Sequence, residues 1–318
     1  MLRIIKRPYQ QLLQYVREHF TKLQYMMLLA VITGLVAGLI AVLLKVLVHN
    51  IQVKIQPLSS HAFLHLLTPT IGLLIAVFIV QRFFRQHLEK GIALVLKAIA
   101  RQSSFLPLSH TYSHIITSSI TVGLGGSVGL ESPIVATGSA IGSNVARISQ
   151  TNYPERTLLL ACGAAAGISA AFDAPIAGVI FAIEVLLTET VVSYFIPLII
   201  ASVTGVLCSK ILLEEDALFQ FVLQQKFDYH NIPFYLVLGV FGGLISRYYA
   251  FAFKATEHRV HSLKMGVFTR ATVAGIMLMA LFWVLPPLFG EGYSSVKLLA
   301  NGNPHLLIGQ SSLFKMLP

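Results

Sequence analysis

Charge is what this chain lacks most. Aspartate, glutamate, lysine and arginine make up 11% of its 318 residues, against about a quarter in soluble domains. Hydrophobic residues reach 55% and the mean hydropathy is +0.75, which excludes a soluble globular domain and leaves an integral membrane protein. Cysteine is nearly absent. Cys162 and Cys208 both lie in apolar segments, so neither a disulfide framework nor a cysteine-ligated metal site is expected. The 11 histidines show no metal-ligand spacing; His110 and His114 stand one helical turn apart, in a polar linker. The glycine-rich run before residue 130 lacks the Gly-Lys-Ser/Thr ending of a phosphate loop. No cleavable signal peptide is expected either, because the first long apolar run begins only at Met26, after a polar and basic lead.

What is present is a basic excess, +10 in formal charge. Its placement argues against nucleic acid as a partner. Arg3, Lys6, Arg7, Arg17 and Lys22 precede the first apolar run, and Arg82, Arg85, Lys90, Lys97 and Arg101 follow the second. Two basic clusters on one side of a pair of spans is the positive-inside pattern, which puts the N-terminus in the cytoplasm and the protein in a plasma membrane. Residues 1–22 read as an amphipathic helix at the cytoplasmic interface of the lipid bilayer. Residues 26–44 form a clean span with a Gly34-xxx-Gly38 face for close helix packing, a loop through Lys54 lies outside, and residues 63–80 return.

Beyond that the pattern turns irregular. Segments 90–100, 110–124, 133–147, 157–171 and 175–187 are helical in character but mostly shorter than the about 20 residues a span needs. Interrupted apolar segments of this kind predict broken, re-entrant helices lining a cavity or buried in protein. Segment 193–213 is long again. An acidic, polar stretch from Glu214 to Asn231 follows, then spans at 233–254 and 270–289. The fold class is an all-α, polytopic membrane protein.

Within the irregular part, one residue stands out. Glu131 sits in Gly123-Leu124-Gly125-Gly126-Ser127-Val128-Gly129-Leu130-Glu131-Ser132-Pro133. An ionisable group at bilayer depth is costly and marks gating, proton relay or ion binding. The Ser-Pro step beside it opens helices. A helix N-terminus in a membrane favours anions through its free N–H groups and its dipole. A carboxylate there would occupy the anion site itself and compete with a permeating ion.

Residues 123–187 resemble the signature region of the CLC family of chloride channels and proton/chloride antiporters. Gly129-Leu130-Glu131-Ser132-Pro133 matches the family's G-x-E-x-P element. The block from Leu158 to Gly167 resembles the next helix, running on through Phe172-Asp173-Ala174-Pro175 to Glu184. The resemblance implies a CLC-type inverted repeat: residues 23–213 as the first membrane repeat and 214–318 as an incomplete start of the second. It also implies a homodimer with one pore per subunit. Glu131 takes the place of the gating glutamate, and the backbone of Val128, Gly129, Leu130, Glu131 and Ser132 that of the anion ligands. The inner anion-binding loop corresponds to Glu89-Lys90-Gly91-Ile92-Ala93, so Lys90, Gly91 and Ile92 join the expected site.

The sequence departs from the family in four places. Lys90 replaces the coordinating serine, and its ammonium either attracts anions to the inner site or snorkels to cytoplasmic water. Val185 stands where the antiporters carry their inner proton glutamate, which favours passive conduction; Glu184 beside it is the alternative relay, on a helix face about 100° round. Leu130 replaces a basic residue often found beside the gate, and Asp173 replaces a common asparagine. Finally, the family's G-x-F-x-P loop and late tyrosine do not occur, and only residues 293–318 follow Gly292.

The function implied is gated, channel-like transport of chloride or a similar small anion, with no enzymatic chemistry, metal or cofactor. A proton/anion antiporter is the alternative. A remote third reading takes Gly125-Gly126-Ser127-Val128-Gly129 as the G-x-S-x-G elbow of an intramembrane serine hydrolase, with His110, His114 and Asp173 completing a triad. That elbow needs a strand before Ser127.

Overall fold

Thr21 and Gln24 start the first helix by satisfying each other's exposed backbone groups. The Gln24 N–H donates to the Thr21 hydroxyl at 3.4 Å, and the Thr21 N–H donates to the Gln24 side-chain oxygen at 2.9 Å. The helix so capped, α1, runs Lys22–Ile55. In the computed structural model, which describes residues 19–57, 62–84, 91–187, 194–213, 228–293 and 295–296, it is joined by nine further helices. These are α2 (Ala62–Phe83), α3 (Gly91–Arg101), α4 (Ser113–Gly123), α5 (Glu131–Ile148), α6 (Tyr153–Phe172), α7 (Pro175–Phe181), α8 (Phe195–Leu212), α9 (Ile232–Ser262) and α10 (Val267–Val284). No strand occurs among the described residues, as a bilayer requires of open structures, since only a helix satisfies its own backbone. Among the described residues, six helices are long and apolar enough to cross a membrane. The basic N-terminal helix expected over 1–22 falls almost wholly outside the described residues.

Two expectations about element lengths are corrected. The loop expected through Lys54 is helical, and α1 continues for 34 residues. At 1.5 Å per residue that is about 50 Å, well beyond the hydrocarbon thickness of about 30 Å, so α1 must tilt or project. Segment 157–171, expected to be too short to cross, is the core of a 20-residue helix. Asn152 and Glu155 form a second capping box that adds a polar first turn, and Glu155 also pairs with Lys22 at 3.0 Å. Helices α3, α4 and α7, with 11, 11 and 7 residues, are as short as expected.

Helix α6 is the centre. Every residue from Leu158 to Ala171 is buried, as a helix apolar on all sides must be. Small residues let its neighbours approach. Gly138 of α5 and Gly163 of α6 stand back to back, each so close to the other's carbonyl that a Cβ at either would overlap it. The expected Gly34-xxx-Gly38 face of α1 meets Ala201 and Gly205 of α8 in the same way. Helices α2 and α10 pack as a pair at one side, with Gly275 against Thr70. None of the apolar window of Tyr229–Val260, which contains most of α9, is buried against the rest of the described residues. The expected boundary between 213 and 214 falls just after α8.

A candidate anion site at the start of helix α5

The chain leaves α4 through a tight turn that only glycine accommodates. Gly125 has φ +94°, in the left-handed region where a side chain is strained. Its N–H donates to the Val122 carbonyl at 2.9 Å, and the Gly126 N–H to that of Thr121 at 2.8 Å. The turn delivers Leu130 as the residue preceding α5, and no side chain caps the helix. The N–H groups of the first turn therefore have no intrahelical partner and point at whatever lies ahead. Leu130 is only 5% exposed and belongs to one buried apolar cluster with Leu44, Val48, Ile115 and Ile134. This anchor explains the apolar residue at that position and fixes the helix start.

Glu131, the first residue of α5, folds back over that start. One carboxylate oxygen, Oε2, lies against Gly129 where a Cβ would overlap it. The other, Oε1, accepts a hydrogen bond from the Tyr293 hydroxyl. Ser127, Val128 and Gly129 are exposed, Val128 by 51%, and form the rim of the site. The start of α3 arrives from the other side. Gly91 abuts the Ser132 side chain, leaving no room for a Cβ, and Ile92 packs on the core. Six expected residues, Gly91, Val128, Gly129, Leu130, Glu131 and Ser132, thus meet where two helices begin. Lys90 lies outside the described residues.

The remaining expected residues sit on other elements. Asp173 ends α6 with φ +53°, a left-handed conformation that aspartate and asparagine tolerate better than other side chains. Its Oδ1 is buried without a hydrogen-bond partner. Glu184 and Val185 fall in a π-helical turn, Ala182–Leu186, where the Leu187 N–H reaches back to the Ala182 carbonyl at 3.1 Å. The angular offset between them is therefore not that of an α-helix, which corrects the about 100° expected. Glu184 is exposed and Val185 half-buried against the core. The segment before Ser127 is helix α4, not the strand a nucleophile elbow needs. His110 stacks on His114 with centroids 5.6 Å apart.

Three residues that sequence reasoning did not assign complete the site: Phe289, Glu291 and Tyr293. Phe289 fills the space over Gly125, and its ring is stacked on His65 at 4.4 Å. The Gly290 N–H then donates to the Gly125 carbonyl at 3.1 Å. The loop after α10 is so pinned to the turn before α5, and Tyr293 reaches Glu131 with its ring edge-on to Phe172 at 5.9 Å. Gly290 and Gly292, both with positive φ, were the visible sign of a turn here. Burial, with the bond to Glu131, holds the Tyr293 phenol above its usual range, so it remains a donor.

Glu291, in this same loop after α10, is pushed from 4.5 up to about 7, first by burial and then by the charge of Glu131, while Lys45 pulls the other way. A carboxyl raised on folding stabilises the fold fully below its unfolded value and loses that contribution as pH rises through the folded one. The protein is therefore expected to lose thermal stability as pH rises from about 5 to about 8. Glu291→Gln removes that loss. Thermal unfolding in detergent across this range checks it, and parallel profiles for the two proteins would contradict it.

The broken helices, the packed glycine crossings and the uncapped α5 start together define a polytopic, all-α membrane protein with a re-entrant interior. The family model described as "Voltage gated chloride channel" matches residues 71–317, and the chain belongs to that family, the CLC proteins. It is 28% identical over 238 residues to the "Putative chloride channel protein ClcB-like" of Ralstonia nicotianae, covering 73% of this chain and 55% of the relative. It is likewise 28% identical over 246 residues to the "Voltage-gated ClC-type chloride channel ClcB" of Escherichia coli, covering 76% and 58%. The chain thus spans less than three-fifths of the length of these curated relatives. The fold is shared with a slow cyanobacterial Cl-/H+ antiporter, at TM-score 0.75 and 17% identity over 86% of this chain and 67% of that one. It is shared too with a CLC-type fluoride/proton antiporter, at 0.77 and 21% over 90% and 72%.

Proposed function

We propose that the protein moves chloride or a similar small anion across the plasma membrane in a channel-like manner, with Glu131 as the gate. The observation that carries this reading is the carboxylate folded over the uncapped start of its own helix. A carboxylate lying there is an anion in an anion site, so a permeating ion enters only when it leaves or is neutralised. The backbone of Val128 to Ser132 and of Gly91 and Ile92 would ligate the ion, and the family resemblance adds Lys90, which precedes Gly91 in the sequence. The protein works as a homodimer with its N-terminus in the cytoplasm.

Val185 supports conduction without proton exchange, since an apolar side chain carries no proton. The second reading, a proton/anion antiporter, draws on Glu184, exposed on a π-helical turn; such turns concentrate at functional sites. Reconstitution in liposomes with a chloride electrode and an internal pH dye separates the two. Anion efflux without stoichiometric proton uptake is the expected result, and strict exchange for protons would overturn it. Chloride and fluoride are compared in the same vesicles, because the fluoride/proton antiporter above shares this fold.

A further inference from the structure

The loop after α10 docks on the gate by three independent contacts. Phe289 occupies the space over Gly125, the Gly290 N–H binds the Gly125 carbonyl at 3.1 Å, and the Tyr293 hydroxyl donates to Glu131. The first two fix where the third occurs. They tie the loop to the turn that leads into α5, so the phenol approaches the carboxylate from a held position. The ring itself is set by its edge contact with Phe172 at 5.9 Å, at the end of the central helix. Tyr293 bonds Oε1 while Oε2 rests on Gly129, so the two contacts grip the carboxylate at both oxygens over the helix start.

We infer that Tyr293 is a positioning residue for the gate: its hydroxyl latches the Glu131 carboxylate in the anion site and so keeps the ion out. This rests on the reading of Glu131 as the gate. Lys45, Glu291 and His65 also lie around the latch, through Glu291 and Phe289. The Tyr293 hydroxyl donates directly to the Glu131 carboxylate. Removing the phenol oxygen leaves the carboxylate with one grip fewer. It then yields to anions more readily, so a lower anion concentration suffices.

Tyr293→Phe tests this, because it keeps the ring against Phe172 and deletes only the donor. In liposomes, the chloride concentration giving half-maximal flux is expected to fall about tenfold, the lower end of what a hydrogen bond to a charged group contributes. In a Glu131→Gln background, Tyr293→Phe is expected to change nothing further, since the charged group it holds is gone. A purely structural role would act alike in both backgrounds, and that equality overturns the latch. So does a rise in the half-maximal concentration, which would make the phenol a ligand of the ion itself. Monodisperse elution of each variant in detergent shows that folding is intact. If Glu131→Gln alone leaves flux unchanged, the gate reading fails; if it acts and Tyr293→Phe does not, only the latch fails.

Discussion

Replacing Glu131 with glutamine is expected to raise chloride flux at neutral pH by about tenfold or more if this residue gates the site. The amide is nearly the same size but carries no charge, so it no longer competes for the first-turn N–H groups of α5. A charged group at a helix start gains up to about 2 kcal/mol in partly buried geometry, and its hydrogen bond from a phenol about 1.5–3 kcal/mol. Losing the two together exceeds the 1.4 kcal/mol that corresponds to a factor of ten. Chloride efflux from liposomes reads the effect. Unchanged flux would remove Glu131 from the gate.

The second large effect is on assembly. Gly163→Leu places a side chain where the Gly138 backbone of α5 already lies. Within a bilayer, leucine gains nothing over lipid, so helices hold together through close packing rather than hydrophobic transfer. An overpacked contact usually costs about 1–3 kcal/mol, and here the obstruction is backbone, which cannot rotate away. The variant is expected to elute as aggregate in detergent and to unfold at lower temperature than Gly163→Ala, itself weaker than the parent. A Gly163→Leu protein eluting as the parent does would contradict the crossing of α5 and α6.

What the sequence revealed, and what it hid, follows from the range of the interactions. Glu131 was legible because a lone carboxylate in a glycine-rich apolar run violates the local solvent rule, with no knowledge of neighbours required. The packing face at Gly34 and Gly38 was legible for the same reason, as a spacing on one helix. Tyr293 was not. A tyrosine after two glycines is an ordinary turn, and its partner lies 162 residues earlier in the chain. The π turn at Ala182–Leu186 was also hidden, because Ala-Ile-Glu-Val-Leu contains nothing foreign to an α-helix; the turn packs against α6 and against α3, which lies far off in sequence. Lys54 suggested a loop because it is charged, yet a helix longer than the bilayer is thick carries such a residue in water. Asp173 makes sense only once its left-handed backbone is known.

The docking of the Gly290–Tyr293 turn onto Gly125 also has a temporal side. A ribosome adds about 5–20 residues per second, so the 162 residues separating Glu131 from Tyr293 represent on the order of ten to thirty seconds of synthesis. Through that interval the nascent α5 has its carboxylate but not its phenol. Closure at this helix start is thus a late event in biogenesis, and the growing chain passes through a stage in which the first half of the site exists unlatched.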